Sequence, residues 1–224
     1  YRLPLEVLDR DLSYILSAGI QVRTGVSIGT DIPVAQLQQQ YDAVYIAIGA
    51  HSDKKLHLPG EEAQGVFSAV RLLRDIGEGR IPDFTGKRVC IIGGGNVSMD
   101  ATRTAKRLGA ASVQCIYRRR LEDMTALPEE IQDAMAEGCE IVTLEAPSRI
   151  ETNEQGQVTA LWTQPQHIGP YNGKDRPNPV KAALPERRFP CDVLIVAIGQ
   201  SIVTQPFEAV GVTIRRGTIQ ADLS

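Results

Sequence analysis

Short apolar runs alternate with segments of helical spacing through the middle of the chain. The runs at 87–92, 112–117 and 140–144 are rich in β-formers, and each predicts a buried strand. Apolar positions at helical spacing follow the first run over 97–108, and a proline with two glutamates begins a second helix at 128–137. This βαβαβ order predicts an α/β fold containing the mononucleotide-binding half of a doubly wound parallel sheet.

Two further apolar segments resemble each other and lie on either side of this region. They are DAVYIAIGA at 42–50 and DVLIVAIGQ at 192–200, and both contain Ala-Ile-Gly at the end of the run. Continuous apolar character is typical of strands covered on both faces, and a terminal glycine allows the chain to leave a strand close to a ligand. The two segments are expected to be buried strands, and two unrelated strands are the alternative.

The stretch between 147 and 190 has a different character. Two β-rich runs, 149–152 and 157–162, flank a polar turn at 153–156 and predict a hairpin. Residues 164–189 carry prolines, glycine and charge without periodicity, so they are expected to form a surface loop.

Three consecutive glycines mark the junction between the first strand and the first helix. Gly93, Gly95 and Ser98 fit the spacing G-x-G-x-x-G, with serine as the small third residue. Backbone amides of such a turn and the N-terminus of the following helix together favour an anion. The motif therefore predicts a pyrophosphate site, with a tight turn that binds nothing as the alternative.

Arginines follow the second strand, where the ribose of a bound dinucleotide is expected about 20 residues after the glycines. Tyr117 ends the run, and Arg118, Arg119 and Arg120 come next, with no acidic residue before Glu122. A guanidinium can make bidentate, charge-assisted bonds to a phosphate. The position therefore favours NADP(H) over NAD(H), and a solvated corner is the alternative.

Composition and charge bear on the expected partners and cellular location of the protein. The chain has 224 residues, 42% of them hydrophobic, and a net charge of −3, with no long basic run. Neither nucleic acid nor a membrane is an expected partner, and without a signal-peptide pattern the cytoplasm is the expected location. The chain begins without methionine and ends soon after a β-rich segment, as expected for a piece of a longer protein.

Cysteine and histidine spacing predicts no metal site. Cysteines occur far apart in or beside apolar runs, which favours buried free thiols, and the three histidines are scattered. These residues are Cys90, Cys115, Cys139, Cys191, His51, His57 and His167.

Taken together, the motifs resemble the small (beta) subunit of NADPH-dependent glutamate synthase and its relatives, including the flavin and NADPH portion of dihydropyrimidine dehydrogenase. YRLPLEVLD, AIGAHSDKKLHLPGE, GGGNVSMDATRTAKRLGA, YRRRLEDMTALPEE and VAIGQ match in order and span nearly the whole chain. The resemblance implies two nested nucleotide domains. It also implies that NADPH passes hydride to FAD and that electrons continue to iron-sulfur clusters or a large catalytic subunit.

The resemblance implies roles for individual residues. Gly94, Gly95, Asn96 and Val97 would hold the pyrophosphate, Arg118 and Arg119 the 2′-phosphate, and Ala197, Ile198 and Gly199 would lie near the nicotinamide. Gly93 and Ser98 complete the expected cofactor-binding set. No catalytic residue is expected, because hydride transfer between nicotinamide and flavin is chemistry of the cofactors.

The sequence also departs from the family pattern. It lacks the amino-terminal glycine-rich FAD fingerprint, the carboxy-terminal Gly-Asp segment and cluster cysteines, and Thr125 stands where relatives often carry proline. Thioredoxin reductases share the nested design but need a redox C-x-x-C, which is absent from the sequence. We therefore expect a Rossmann-like NADPH-binding domain at 50–199, nested in a truncated FAD-binding domain that is represented by segments 1–49 and 200–224. The fragment alone is expected to be inactive.

Two other functions fit the same residues. The first is a nucleotide-binding or subunit-contact module that keeps the fold without turnover, which the missing flavin segments favour. The second is a flavin reductase that acts directly on a small substrate.

Overall fold

The computed structural model describes residues 3–170, 173 and 176–221. The chain divides into two compact units. One unit is Gly49–Val203, and the other combines the described residues of 1–48 and 204–224.

Helices and short strands follow one another along the described residues. The helices are α1 (Leu5–Leu16), α2 (Val34–Gln40), α3 (Ala69–Gly77), α4 (Asn96–Arg107), α5 (Pro128–Ala136) and α6 (Gln205–Glu208), with one 3-10 turn at Leu121–Asp123. The strands are β1 (Ser52–Asp53), β2 (Val66–Ser68), β3 (Arg88–Ile92), β4 (Ser112–Tyr117), β5 (Glu140–Thr143), β6 (Glu145–Thr152), β7 (Val158–Ile168), β8 (Pro179–Lys181), β9 (Arg187–Pro190), β10 (Val193–Val196), β11 (Gln200–Ser201), β12 (Ile214–Arg215) and β13 (Thr218–Ile219).

The larger unit is built on a five-stranded parallel sheet with the order β2-β10-β3-β4-β5. The central strands are apolar along their length because helices cover one face and a second sheet covers the other. The predicted βαβαβ unit is confirmed as β3-α4-β4-α5-β5. The prediction of an α/β fold with a parallel sheet is therefore correct.

Two apolar cores hold the three layers together. On one face, α3, α4 and α5 pack against the sheet through residues such as Leu72, Met99 and Ile131. On the other face, the antiparallel sheet formed by β6, β7, β8 and β9 contributes Leu161 and Phe189 to a second core. The hairpin predicted at 149–162 is confirmed as β6-β7.

Two predictions from the sequence are wrong. Residues 42–50 form no strand and are largely exposed, Tyr45 to 93%. A strand needs the backbone of a neighbour, and none of the described residues pairs with this segment. Residues 164–189 are not a plain surface loop, because the end of β7, all of β8 and most of β9 pair within them.

The smaller unit contains α1, α2, α6 and the β12-β13 pair. Helix α1 has no buried residue, and the side chains of Leu5, Leu12 and Ile15 are 46–73% exposed. Val34 and Phe207 are the buried apolar residues among the described parts of this unit.

A charged cluster joins α4 to α5 in the larger unit. The guanidinium of Arg103 is almost fully buried, and it contacts Glu130 at 2.9 Å, Asp133 at 3.1 Å and Glu137 at 2.8 Å. Arg107 also binds Glu137, at 2.6 Å. Hydrogen bonds from Arg107 and Arg103 lower the pKa of the Glu137 carboxyl to about 2.

Glu137→Gln should therefore destabilise the larger unit in a pH-dependent way. A carboxyl with a depressed pKa in the folded state stabilises the fold above its unfolded-state pKa and loses this effect as pH falls. The difference in unfolding free energy between wild type and variant should be constant at neutral pH and shrink from about pH 4.5 toward about pH 2. Denaturant unfolding at several pH values measures it, with Glu154→Gln in an exposed turn as the control. A difference that does not change with pH would contradict this assignment.

Candidate nucleotide-binding site

The glycine turn joins β3 to α4, as the sequence predicts, and two of its glycines are explained by close contacts within the protein. A Cβ on Gly93 would lie 2.3 Å from the carbonyl oxygen of Ala197, just beyond β10. A Cβ on Gly94 would lie 2.4 Å from the ring of Tyr117, at the end of β4. The ends of β3, β4 and β10 therefore meet closely only because these two positions have no side chain.

Gly95 has no such explanation within the protein. Its φ of −107° is open to any residue, and an added Cβ would have one near neighbour, the Thr125 hydroxyl at 3.4 Å, an ordinary contact. Gly95 lies directly before α4 and lines an open pocket. The space left by its missing side chain belongs to that pocket, as expected where a ligand approaches the backbone.

A loop from beyond β4 is fixed onto the glycine turn. The backbone amides of Thr125 and Ala126 both donate to the Gly94 carbonyl, at 2.9 and 3.1 Å. The Asn96 side chain accepts a hydrogen bond from the Leu127 amide at 2.8 Å. Threonine at 125, whose effect on the loop the sequence left open, is therefore compatible with a loop held on the turn.

The turn opens into a pocket of about 570 Å³ at the carboxyl ends of the parallel strands. This is where open α/β sheets bind their ligands. Ten of the eleven predicted cofactor-binding residues line the pocket, namely Gly93, Gly94, Gly95, Asn96, Val97, Arg118, Arg119, Ala197, Ile198 and Gly199. Ser98 is the exception: it is fully buried and its hydroxyl donates to the Gly95 carbonyl at 2.6 Å.

The three consecutive arginines have different roles in the structure. Arg120 turns to the carboxylate of Asp123, with Nε 2.9 Å from Oδ2, and it does not line the pocket. Arg118 is exposed at the pocket, and Arg119 is half-buried there, where its Nε donates to the Pro177 carbonyl at 3.1 Å. Two guanidinium groups therefore remain at the position where a 2′-phosphate is expected.

Arg176 also lines the pocket, although no pattern in the sequence selects it. Its Nη1 donates to the Tyr117 hydroxyl at 3.2 Å and to the Asp123 carbonyl at 3.0 Å. It lies in the aperiodic segment expected to be a surface loop. The repeated short runs of charge and proline there carry no signal that marks a site, so only the folded chain reveals it.

The last predicted group, Ala197-Ile198-Gly199, follows β10 at the same edge. The amide of Lys54 donates to the Gly199 carbonyl at 3.2 Å, and β1 pairs with β11 just beyond it. Ile198 is 37% exposed, so an apolar side chain faces outward beside the glycine turn. The pocket therefore has a cationic side at the arginines, while at this segment the apolar Ile198 lines it together with the Asp53 carboxylate.

Cysteine chemistry is absent from the described pocket lining. All four cysteines are buried and unpaired, as predicted, and burial raises the pKa of the Cys115 thiol to about 12. A thiol this weakly acidic is a poor nucleophile at neutral pH. No cluster of potential metal ligands occurs within residues 3–170, 173 and 176–221.

The chain belongs to the pyridine nucleotide-disulphide oxidoreductase family, which matches residues 13–224. It is 35% identical over 99% of its length to the NADP(+)-dependent formate dehydrogenase subunit beta of Moorella thermoacetica, of which it covers 32%. It is 32% identical over 89% of its length to the glutamate synthase [NADPH] small chain of Escherichia coli K12, of which it covers 44%. The resemblance to glutamate synthase small subunits is thus confirmed.

Solved structures show the same fold. Mycobacterium tuberculosis FprA in complex with NADPH aligns with a TM-score of 0.71 and 18% identity, over 88% of this chain and 58% of that one. Thioredoxin reductase of T. acidophilum aligns with a TM-score of 0.57 and 18% identity, over 77% and 49% of the two chains. Helices in the described part of the chain are too short or too polar to cross a membrane.

Proposed function

We propose that this chain is the NADP(H)-binding portion of a flavin-dependent oxidoreductase. The observation that carries the proposal is the pocket that joins the glycine turn to Arg118 and Arg119. The turn offers backbone amides at the start of α4, and the arginines offer guanidinium groups on the ribose side. A dinucleotide with a pyrophosphate and a 2′-phosphate matches both features.

The residues present fit NADPH. Gly95 leaves backbone exposed for the pyrophosphate, and the first amides of α4 have no partner within their own helix. The Asn96 Oδ1 accepts the hydrogen bond from the Leu127 amide, so the Nδ2 group remains a donor that can join the backbone amides at the pyrophosphate. The segment Ala197-Ile198-Gly199 would orient the nicotinamide end. When bound, NADPH supplies the hydride, and the chain's own residues bind and orient it.

The domain boundaries remain part of the proposal. We infer that 50–199 is the NADPH domain, while 1–49 and 200–224 belong to an interrupted FAD domain. Two observations support this inference. The apolar face of α1 is exposed, and the strand-like segment 42–50 has no partner among the described residues, so both surfaces suit packing by further polypeptide. We assign no residue of this chain to FAD.

We propose that the longer protein to which this chain belongs passes electrons from its flavin to a further acceptor. The chain spans about a third of the Moorella thermoacetica relative, and several relatives are named as subunits of oxidoreductases. We therefore propose a partner that is a large catalytic subunit or an iron-sulfur domain, in the cytoplasm. The alternative is a nucleotide-binding or subunit-contact module without turnover.

Anaerobic titration of the longer protein with NADPH separates these two functions. We expect its bound flavin to lose its visible absorbance as NADPH is added, and to do so more slowly with NADH. Binding of NADPH without any flavin in the protein, or without loss of its absorbance, would favour the module without turnover.

A further inference from the structure

We propose that Arg176 is a specificity-determining residue that binds the 2′-phosphate of NADP(H) together with Arg118 and Arg119. The inference rests on the proposed function and extends it to a segment outside the βαβαβ unit. Arg176 lies between β7 and β8, so the antiparallel sheet would contribute to the choice of cofactor.

The position of Arg176 is fixed by the end of β4. Its Nη1 donates to the Tyr117 hydroxyl and to the Asp123 carbonyl, at 3.2 and 3.0 Å. The same hydroxyl donates to the Asp123 carbonyl at 2.7 Å, and the Tyr117 ring packs on Gly94. Arg176 is thereby held against the glycine turn through one side chain.

Arg119 and the Arg176 segment hold each other in place. The Nε of Arg119 donates to the carbonyl of Pro177, the residue after Arg176. Arg119 uses only its Nε, and Arg176 only its Nη1, for these hydrogen bonds within the protein. A guanidinium has five N–H donors in all. Donors on both side chains therefore remain for a ligand in the pocket that both residues line.

The charge balance around the pocket points to an anion. Arg118, Arg119 and Arg176 line it, and none of them forms an ion pair with a carboxylate of the described residues. Of the nearby acidic groups, Glu122 and Asp123 are both paired with Arg120. Asp53, which also lines the pocket, accepts a hydrogen bond from the Ser68 hydroxyl, so three arginines face a single carboxylate in the lining. Three cations collected in one pocket repel one another, and a phosphate dianion relieves that repulsion.

A role limited to holding the loop gives a different expectation. If Arg176 only braces Tyr117, its loss would loosen the glycine turn and weaken every dinucleotide alike. If it binds the 2′-phosphate, its loss would weaken NADP+ and leave NAD+ nearly unchanged. The ratio of the two dissociation constants therefore distinguishes the two roles.

The test is calorimetric titration of the 224-residue chain with NADP+ and with NAD+. We expect Arg176→Gln to weaken NADP+ about ten- to a hundredfold, as for one charge-assisted hydrogen-bonding group, and NAD+ by less than about twofold. The affinity of Arg176→Lys for NADP+ should lie between those of the wild type and Arg176→Gln, because lysine keeps the charge and lacks the planar guanidinium. Arg74→Gln, exposed on α3, is the control for net charge and should change neither constant.

The outcomes separate this inference from the function on which it rests. A wild-type chain without preference for NADP+ would overturn the proposed function. A wild-type preference that survives unchanged in Arg176→Gln would overturn only the role of Arg176, as would equal weakening of both nucleotides. Thermal unfolding of each variant shows whether the fold is retained. If Arg176→Gln unfolds, the ratio of the NADP+ and NAD+ dissociation constants of Arg176→Lys decides between the two roles of Arg176.

Discussion

Replacing Arg118 and Arg119 together by alanine should weaken NADPH binding by up to about a thousandfold and NADH binding little. A charge-assisted hydrogen bond is worth roughly 1.5–3 kcal/mol, and a thousandfold corresponds to about 4 kcal/mol, so two such groups suffice. The effects of residues that share one phosphate do not add cleanly, so the single variants should not sum to the double. Calorimetric titration with each nucleotide measures the effect.

The single variants refine this prediction. Arg118 is exposed and makes no hydrogen bond to the described residues, so Arg118→Ala should act on the ligand alone. Arg119 also holds the Pro177 carbonyl, so Arg119→Ala should in addition loosen the segment that carries Arg176. Arg74→Ala is the matched control, because Arg74 is exposed on α3 and does not line the pocket. Equal weakening of NADPH and NADH in the double variant would show that the arginines are a solvated corner.

Gly95→Ala should weaken NADPH and NADH equally, by about tenfold or more, while the fold is kept. The added methyl would have only the Thr125 hydroxyl nearby, at 3.4 Å, and the backbone at φ −107° accepts alanine. It would instead occupy the space where the pyrophosphate approaches the turn, which both nucleotides share. A tenfold loss corresponds to about 1.4 kcal/mol.

Two other glycine variants provide the controls for Gly95→Ala. Gly77→Ala, at the end of α3 with no atom within 4 Å, should leave binding unchanged and stabilise the fold slightly, because alanine favours a helix more than glycine. Gly93→Ala should instead lower the unfolding temperature, because its methyl would lie 2.3 Å from the Ala197 carbonyl oxygen. Unchanged affinity in a folded Gly95→Ala protein would mean that no ligand approaches the turn at Gly95.

The central part of the fold is predictable from the sequence because its signals are local. A buried strand, a glycine turn and an amphipathic helix each occupy one continuous segment, and β4 at Ser112–Tyr117 has the bounds expected from its apolar run. The carboxyl ends of parallel strands lie at one edge, so the order of strands and helices alone suffices to place the glycines and arginines together.

The failures have a common physical cause in contacts between distant segments. The apolar pattern of 42–50 is that of a strand, but a pattern cannot show whether a partner strand is present. Strands β8 and β9 are short, polar and proline-bearing. They form because β7 pairs with β6 along one edge and leaves its other edge open to them. The sequence does not reveal Arg176 for the same reason, because its hydrogen bond to Tyr117, 59 residues away along the chain, leaves no local pattern.

Titration of the wild-type 224-residue chain with NADPH and NADH, at low and at high salt, decides whether the pocket is selective for NADP(H). We expect NADPH to bind more tightly, by about a hundredfold or more at low salt, and this advantage to shrink as salt screens the exposed Arg118. Equal affinities, tighter binding of NADH, or no binding of either nucleotide would contradict the assignment of this pocket to NADP(H).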